Sequence, residues 1–104
     1  MRAAPLDVPL SEEDLRRERQ RARQLRDTQW WKNRRGRGIC HYCGRHFPPR
    51  ELTMDHVVPL IRGGKTTKSN VVPCCKACND LKGNLVPSEW DHYLERLAGG
   101  NPPA

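Results

Sequence analysis

The alternation of apolar and polar positions divides the chain into a helical front, a strand-rich middle and a helical back. Ser11 stands as a helix N-cap. Asp14, three residues on, supports a capping box, and Leu10 and Leu15 occupy the staple positions. Nothing breaks the pattern before about Gln29, so one helix is predicted to that point. Its apolar stripe is thin, made of Leu15, Ala22 and Leu25 with Trp30 and Trp31 at the end. A Gly-interrupted linker, KNRRGRG, follows over 32–38. Leu52 to Val58 reads as a strand, Leu60 to Ser69 as a polar loop and Val71-Val72 as a short second strand. A helix is predicted from Cys75 to about Asn84, with Gly83 near its stop. Ser88 caps a last helix reaching Leu97, in which Trp90, Tyr93, Leu94 and Leu97 form a core-facing stripe at i, i+3, i+4 and i+7. The reading gives an α+β chain without internal repeats. It comprises a flexible arm (1–10), a basic helix and linker (11–37), a central unit with its C-terminal helix (38–98) and a flexible tail (99–104).

Composition narrows the function. The chain has 104 residues, 36% hydrophobic and 30% charged, with a net charge of +7. So short a chain buries a limited core, and a disulfide or metal staple is expected to supplement it. The surplus charge favours a polyanionic partner, because Lys and Arg set against phosphates release counterions. Arg16, Arg17, Arg19, Arg21, Arg23 and Arg26 line the first helix, and Lys32, Arg34, Arg35 and Arg37 extend the surplus into the linker. A solvated helix is the plain alternative; a phosphate-contacting one is the functional reading. No stretch is long and apolar enough for a signal peptide or a bilayer span, so a cytoplasmic protein with reduced thiols and no membrane partner is expected.

In that setting, five cysteines read as metal ligands before disulfides. Cys40 and Cys43 form one C-x-x-C pair, closed by Gly44, and Cys75 and Cys78 form another. Four thiolates suit tetrahedral Zn²⁺ in a closed, structural site. Cys74 is then a small buried side chain, and His41 and His46 are bystanders. The spacing exceeds that of a simple zinc ribbon, so something is inserted between the knuckles. The insert contains Asp55-His56, Gly63-Gly64 and Asn70, and Asn79 lies directly behind the last cysteine. Singly, each of these residues is ordinary: a surface pair, turn glycines, helix caps. Their conjunction in fixed order is not.

That order, CxxC, then DHVVPLxxGG, then NVVPCCxxCNxxK over Cys40 to Lys82, resembles the HNH endonucleases of the ββα-metal superfamily, in the subgroup braced by a four-cysteine zinc. The resemblance implies a ββα-metal hairpin and helix as the core, with flanking helices at both ends of the chain. It implies a metal-dependent endonuclease hydrolysing DNA by nicking or double-strand cleavage, leaving 5′-phosphate and 3′-hydroxyl ends. It further implies that Asp55 and Asn79 bind one catalytic divalent metal, that His56 is the general base, and that Asn70 fixes the loop behind the histidine. Oxygen donors from Asp and Asn suit Mg²⁺ or Mn²⁺. Asn79 replaces the family's final His, which removes a softer ligand. Neighbouring strand residues face opposite ways, so the resemblance also implies an irregular backbone at Asp55-His56. Lys82, Arg62 and Lys65 are candidate phosphate contacts, beside Arg34, Arg35 and Arg37. Beyond the two metals no small-molecule cofactor is expected, and a homodimer is one way to cut both strands. A catalytically silent zinc-containing DNA-binding module, an RNA- or structure-specific nuclease and a protein-binding zinc finger are the alternatives.

Overall fold

The computed structural model describes residues 11–98, as a small α+β arrangement of four helices and one two-stranded antiparallel sheet. The expected arm over 1–10, with the staple residue Leu10, and the tail over 99–104 lie outside the described residues. Helix α1 spans Glu12–Arg26 and is capped as its sequence predicts, with Ser11 Oγ accepting from Asp14 N at 3.1 Å. The predicted continuation to Gln29 fails at Asp27-Thr28. Thr28 Oγ1 donates to Leu25 O (2.7 Å) while accepting from Trp31 N (3.2 Å), so one side chain ends α1 and starts α2, Gln29–Gly36. Most of the expected linker is therefore helical, pinned by Trp31 at 1% exposure. Trp30 remains half-buried, flanked by the Arg34 guanidinium (5.5 Å) and the Lys68 ammonium (5.4 Å).

Strands β1 (Thr53–His56) and β2 (Val71–Cys74) form the hairpin, shorter and longer respectively than predicted. Their pairing is one to one from Thr53↔Cys74 to His56↔Val71. The irregular backbone expected at Asp55-His56 is absent; the chain bends only at Val57-Val58, after the histidine. The connecting loop is less featureless than its polar sequence implies. It opens with a 3₁₀ turn, Leu60–Arg62, and ends that turn on Gly63 at φ 93°. At Gly64 a Cβ would stand 1.8 Å from Val58 O, which only glycine avoids.

Helix α3 (Lys76–Lys82) starts from Cys75 and packs on the hairpin, where Leu52, Cys40, Cys74, Cys75 and Cys78 form a small buried cluster with Tyr42 and Phe47 against it. Helix α4 begins at Pro87, one residue ahead of the predicted cap. Glu89 Oε1 reaches back to Val86 N at 3.1 Å, satisfying a donor that Ser88 does not. The predicted stripe of α4 is only partly buried. Trp90 is 5% exposed and sits edge-on to Tyr42, but Leu94 and Leu97 face outward at 37% and 63%.

Candidate active site and metal cluster

The four cysteines of the two knuckles converge. The Sγ atoms of Cys40, Cys43, Cys75 and Cys78 all lie within 4.8 Å of one another, and among the described residues they are the one such group of potential metal ligands. Zn–S bonds of ~2.3 Å would set the sulfurs of a tetrahedral site ~3.8 Å apart, and Cys43 and Cys75 are at 4.0 Å. Burial pushes the Cys78 and Cys43 thiols up. Burial opposes ionisation of Cys40 as well, but hydrogen bonds from the backbone of Cys43, Cys75 and Tyr42 outweigh it and bring its thiol down to about 7. Four sulfurs brought together in this way suit a cation that would neutralise them. Cys74 stays outside the group, its thiol donating to Cys75 O at 3.3 Å; His41 and His46 are outside it too.

Asp55 is held on one side of β1. Its Oδ2 accepts from Tyr42 Oη at 2.6 Å and pairs with Lys82 Nζ at 3.2 Å. Both partners come from the cysteine-knuckle and α3 side of the molecule. Burial, then the bond to Asp55, drive the Tyr42 hydroxyl upward in pKa, so it stays a proton donor. No hydrogen bond from the described residues reaches Asp55 Oδ1. Asn79 is exposed on α3, one turn before Lys82, and its side-chain amide likewise lacks a partner among the described residues. Residues three apart on a helix are neighbours, so the contact between Lys82 and Asp55 brings Asn79 to the same side of the hairpin. One open carboxylate oxygen and one open amide fit a hard divalent cation.

Lys82 differs from its expectation. Read from the sequence as a phosphate contact, it is 1% exposed, with Nζ committed to Asp55 and to His56 O (3.2 Å) and lying 5.7 Å from the centre of the Tyr42 ring. Its short distance along α3 from Asn79 put it at the site, but packing made it a counterion. Arg62 is similarly engaged, paired through both terminal nitrogens with Glu89 and donating to Asn84 O. Lys65 and Arg37 are exposed, while Arg34 and Arg35 are half-buried. Arg35 joins Arg26 and Arg50 in lining a cleft of about 310 Å³, floored by Trp31 and the start of β1 at Thr53-Met54.

His56 closes β1 and is held from elsewhere. Its Nε2 lies 2.9 Å from Thr66 Oγ1. Thr66 in turn donates its hydroxyl proton to Glu18 O (2.9 Å) and its backbone N–H to Glu18 Oε1 (2.7 Å). Burial moves the His56 pKa below the ordinary imidazole range; Asp55 and Glu18 oppose that shift, and Arg26 and Lys82 add to it. Asn70 does not touch the imidazole. Its Oδ1 accepts from Val58 N (2.9 Å), and its Nδ2 donates to Val58 O (3.1 Å) and Lys65 O (2.8 Å). The amide extends the hairpin beyond β2 and fixes the chain immediately before Thr66, which is a loop-fixing role.

Glu18 and Thr66 escaped the sequence reading. Glu18 falls on the apolar stripe Leu15, Ala22 and Leu25, at spacings of three, four and three. A carboxylate on a buried stripe is the signal that marks it.

The site falls within a segment with known relatives. The family model for HNH endonucleases matches residues 40–94. Residues of the chain are 40% identical, over 52 positions, to the CRISPR-associated endonuclease Cas9 of Corynebacterium diphtheriae, an overlap of 49% of this chain but only 5% of that protein. Helices α1 and α2 precede the matched segment. With more than half its length matched in the order that the hairpin and cysteines require, the chain belongs to the HNH endonuclease family.

Proposed function

We propose that the chain is a metal-dependent endonuclease hydrolysing DNA phosphodiester bonds, with one structural zinc and one catalytic divalent metal. The observation carrying this reading is the division of labour at Asp55: Oδ2 is occupied by Tyr42 and Lys82, while Oδ1 accepts no hydrogen bond from the described residues, and Asn79 stands one turn before Lys82 on α3. Cys40, Cys43, Cys75 and Cys78 would hold Zn²⁺ in a closed site that braces the hairpin. Asp55 and Asn79 would hold Mg²⁺ or Mn²⁺, whose chemistry is to neutralise charge developing on the leaving 3′ oxygen.

The protein's own part is to position and to move a proton. His56 accepts a proton from water through the ring nitrogen that does not face Thr66. The resulting hydroxide attacks phosphorus, the P–O3′ bond breaks, and the leaving 3′ oxygen takes a proton from a water molecule, so the ends are a 5′-phosphate and a 3′-hydroxyl. A pKa lowered by burial keeps the imidazole neutral, and so able to accept, at physiological pH. Lys82 holds Asp55 in place rather than touching substrate. Substrate phosphates meet the basic surface of α1 and α2, where Arg26, Arg35 and Arg50 share one cleft.

The test is cleavage of supercoiled plasmid with Mg²⁺, Mn²⁺ or EDTA, wild type beside His56→Ala. Metal-dependent nicking or linearisation that disappears in the variant supports the reading. DNA binding without cleavage under any metal would leave a silent binding module. Cleavage of RNA but not DNA in the same buffers would redirect the substrate class.

A further inference from the structure

We infer that Glu18 of α1 is a positioning residue for the HNH site: through Thr66 it fixes the His56 proton on Nε2 and leaves Nδ1 as the proton acceptor. The catalytic consequence rests on the nuclease reading above; the hydrogen-bond chain stands apart from it.

The argument begins with burial. Carboxylates stay at the surface unless something inside needs them. Glu18 is 2% exposed, and both of its oxygens are in use. Oε1 accepts from Thr66 N (2.7 Å) and Oε2 from Arg21 Nη1 (2.7 Å). The backbone carbonyl of the same residue accepts from Thr66 Oγ1 at 2.9 Å. One residue of α1 therefore grips one loop residue at two atoms. Asn70 grips the preceding residue from the other side, through Lys65 O. Thr66 is fixed between a helix and a hairpin.

A threonine hydroxyl has a single proton to give. Two oxygens 2.9 Å apart with no proton between them would repel, so that proton lies toward Glu18 O. Thr66 Oγ1 can then only accept from the ring nitrogen 2.9 Å away, which makes His56 Nε2 the protonated one. In a neutral imidazole the other nitrogen carries the lone pair. Protonating Nδ1 leaves the Nε2–H···Oγ1 bond in place, so the ring need not turn when it takes a proton from water. The orienting group thus comes from α1, which lies ahead of the segment that matches the family.

The test uses the zinc-loaded full chain without added Mg²⁺, near pH 8, and reads the His56 ring by long-range ¹H–¹⁵N correlation, the signals being identified by their loss in His56→Gln. The expected result is an Nε2–H tautomer in the wild type and in Thr66→Ser. In Thr66→Val, which keeps shape but removes the acceptor, a mixture containing Nδ1–H is expected. In plasmid cleavage Thr66→Val should lower kcat on the order of 10²-fold, with KM within about twofold and activity returning in Thr66→Ser, as losing the oriented tautomer of a base does elsewhere. Glu18→Ala keeps the backbone carbonyl but frees Thr66 N, so it should move the ring and kcat in the direction of Thr66→Val by a smaller amount, and Glu18→Gln, which can still accept from Thr66 N, should be milder again; a Glu18→Ala ring and kcat identical to wild type would overturn the part given to Glu18. An Nδ1–H ring in the wild type, or a Thr66→Val ring and kcat identical to wild type, would overturn the inference. No cleavage by the wild type, with a ring that still changes in Thr66→Val, would uphold the hydrogen-bond chain and sink the nuclease reading instead.

Discussion

Replacing Lys82 with methionine tests whether this lysine serves Asp55 or the substrate. The methionine chain follows the path of the lysine stem, so packing against Tyr42 is largely kept and the main loss is one positive charge. Lys82 is 1% exposed and Asp55 11% on their side chains, with Nζ and Oδ2 3.2 Å apart. Breaking a buried pair leaves its partner as an uncompensated charge, at about 3–5 kcal/mol. Asp55 keeps its bond from Tyr42 and some contact with water, so about 2–4 kcal/mol is expected for Lys82→Met. Asp55→Asn alone should be comparably damaging, since it strands the buried ammonium. In the double variant both charges are gone, and the loss should fall short of the sum of the single losses by at least about 1–2 kcal/mol. Urea unfolding of the zinc-loaded protein, followed by far-UV circular dichroism, provides the measurement. With a slope of about 1–2 kcal/mol/M for a small domain, the single variants should unfold at least about 1 M earlier. Additive losses in the double variant, or a Lys82→Met loss under about 1 kcal/mol with a raised KM for DNA, would return Lys82 to the phosphate-contacting role.

Cys75→Ser should remove zinc and helical signal together, because a metal bound only by the folded state supplies folding free energy; a zinc-free variant with native circular dichroism would show that the knuckles are not a staple. Gly64→Ala should collapse the loop between the strands, since its Cβ would meet Val58 O at 1.8 Å, and should lower both the unfolding midpoint and cleavage; an unchanged midpoint would contradict that crowding. Arg50→Ala combined with Arg35→Ala should weaken DNA binding without sequence preference and flatten the dependence of log K on log salt by about 1–2. An unaltered slope would mean that phosphates do not enter that cleft.

The sequence was most legible where chemistry demands fixed spacing. The two C-x-x-C pairs close on one another, the hairpin carries Asp55-His56, and Asn70 fixes the loop because its amide can pair with the backbone of Val58. Legibility failed where packing decided. Thr28 gave no sign of ending one helix and starting another, because a threonine in a helical run is unremarkable until its hydroxyl is seen bonding both ways. Leu94 and Leu97 have the period of a core stripe, yet it is Trp90 that is buried, edge-on to Tyr42 and stacked with Tyr93. Lys82 was read by its charge, as a residue for phosphate. Its burial depends on Asp55 arriving from a distant strand, β1, which the order of residues does not announce.

The hairpin explains why two distant parts of the chain serve adjacent residues. Neighbours on a regular strand look in opposite directions, so Asp55 and His56 could not share supports. Asp55 is held from the cysteine-knuckle side by Tyr42 and from α3 by Lys82, so the cysteine cluster acts on the acidic residue through a tyrosine set between two of its own members. His56 is served from the other direction, by a loop that α1 and Asn70 jointly hold. Loss of the cysteine cluster should therefore loosen Asp55 first, and loss of α1 should free His56 while leaving the sulfurs together. The matched segment by itself contains Asp55, His56, the four cysteines and Thr66, but it lacks the residue that anchors Thr66. Glu18 supplies that anchor: one oxygen of this buried carboxylate serves Arg21 of its own helix, and the other holds the loop residue that faces His56.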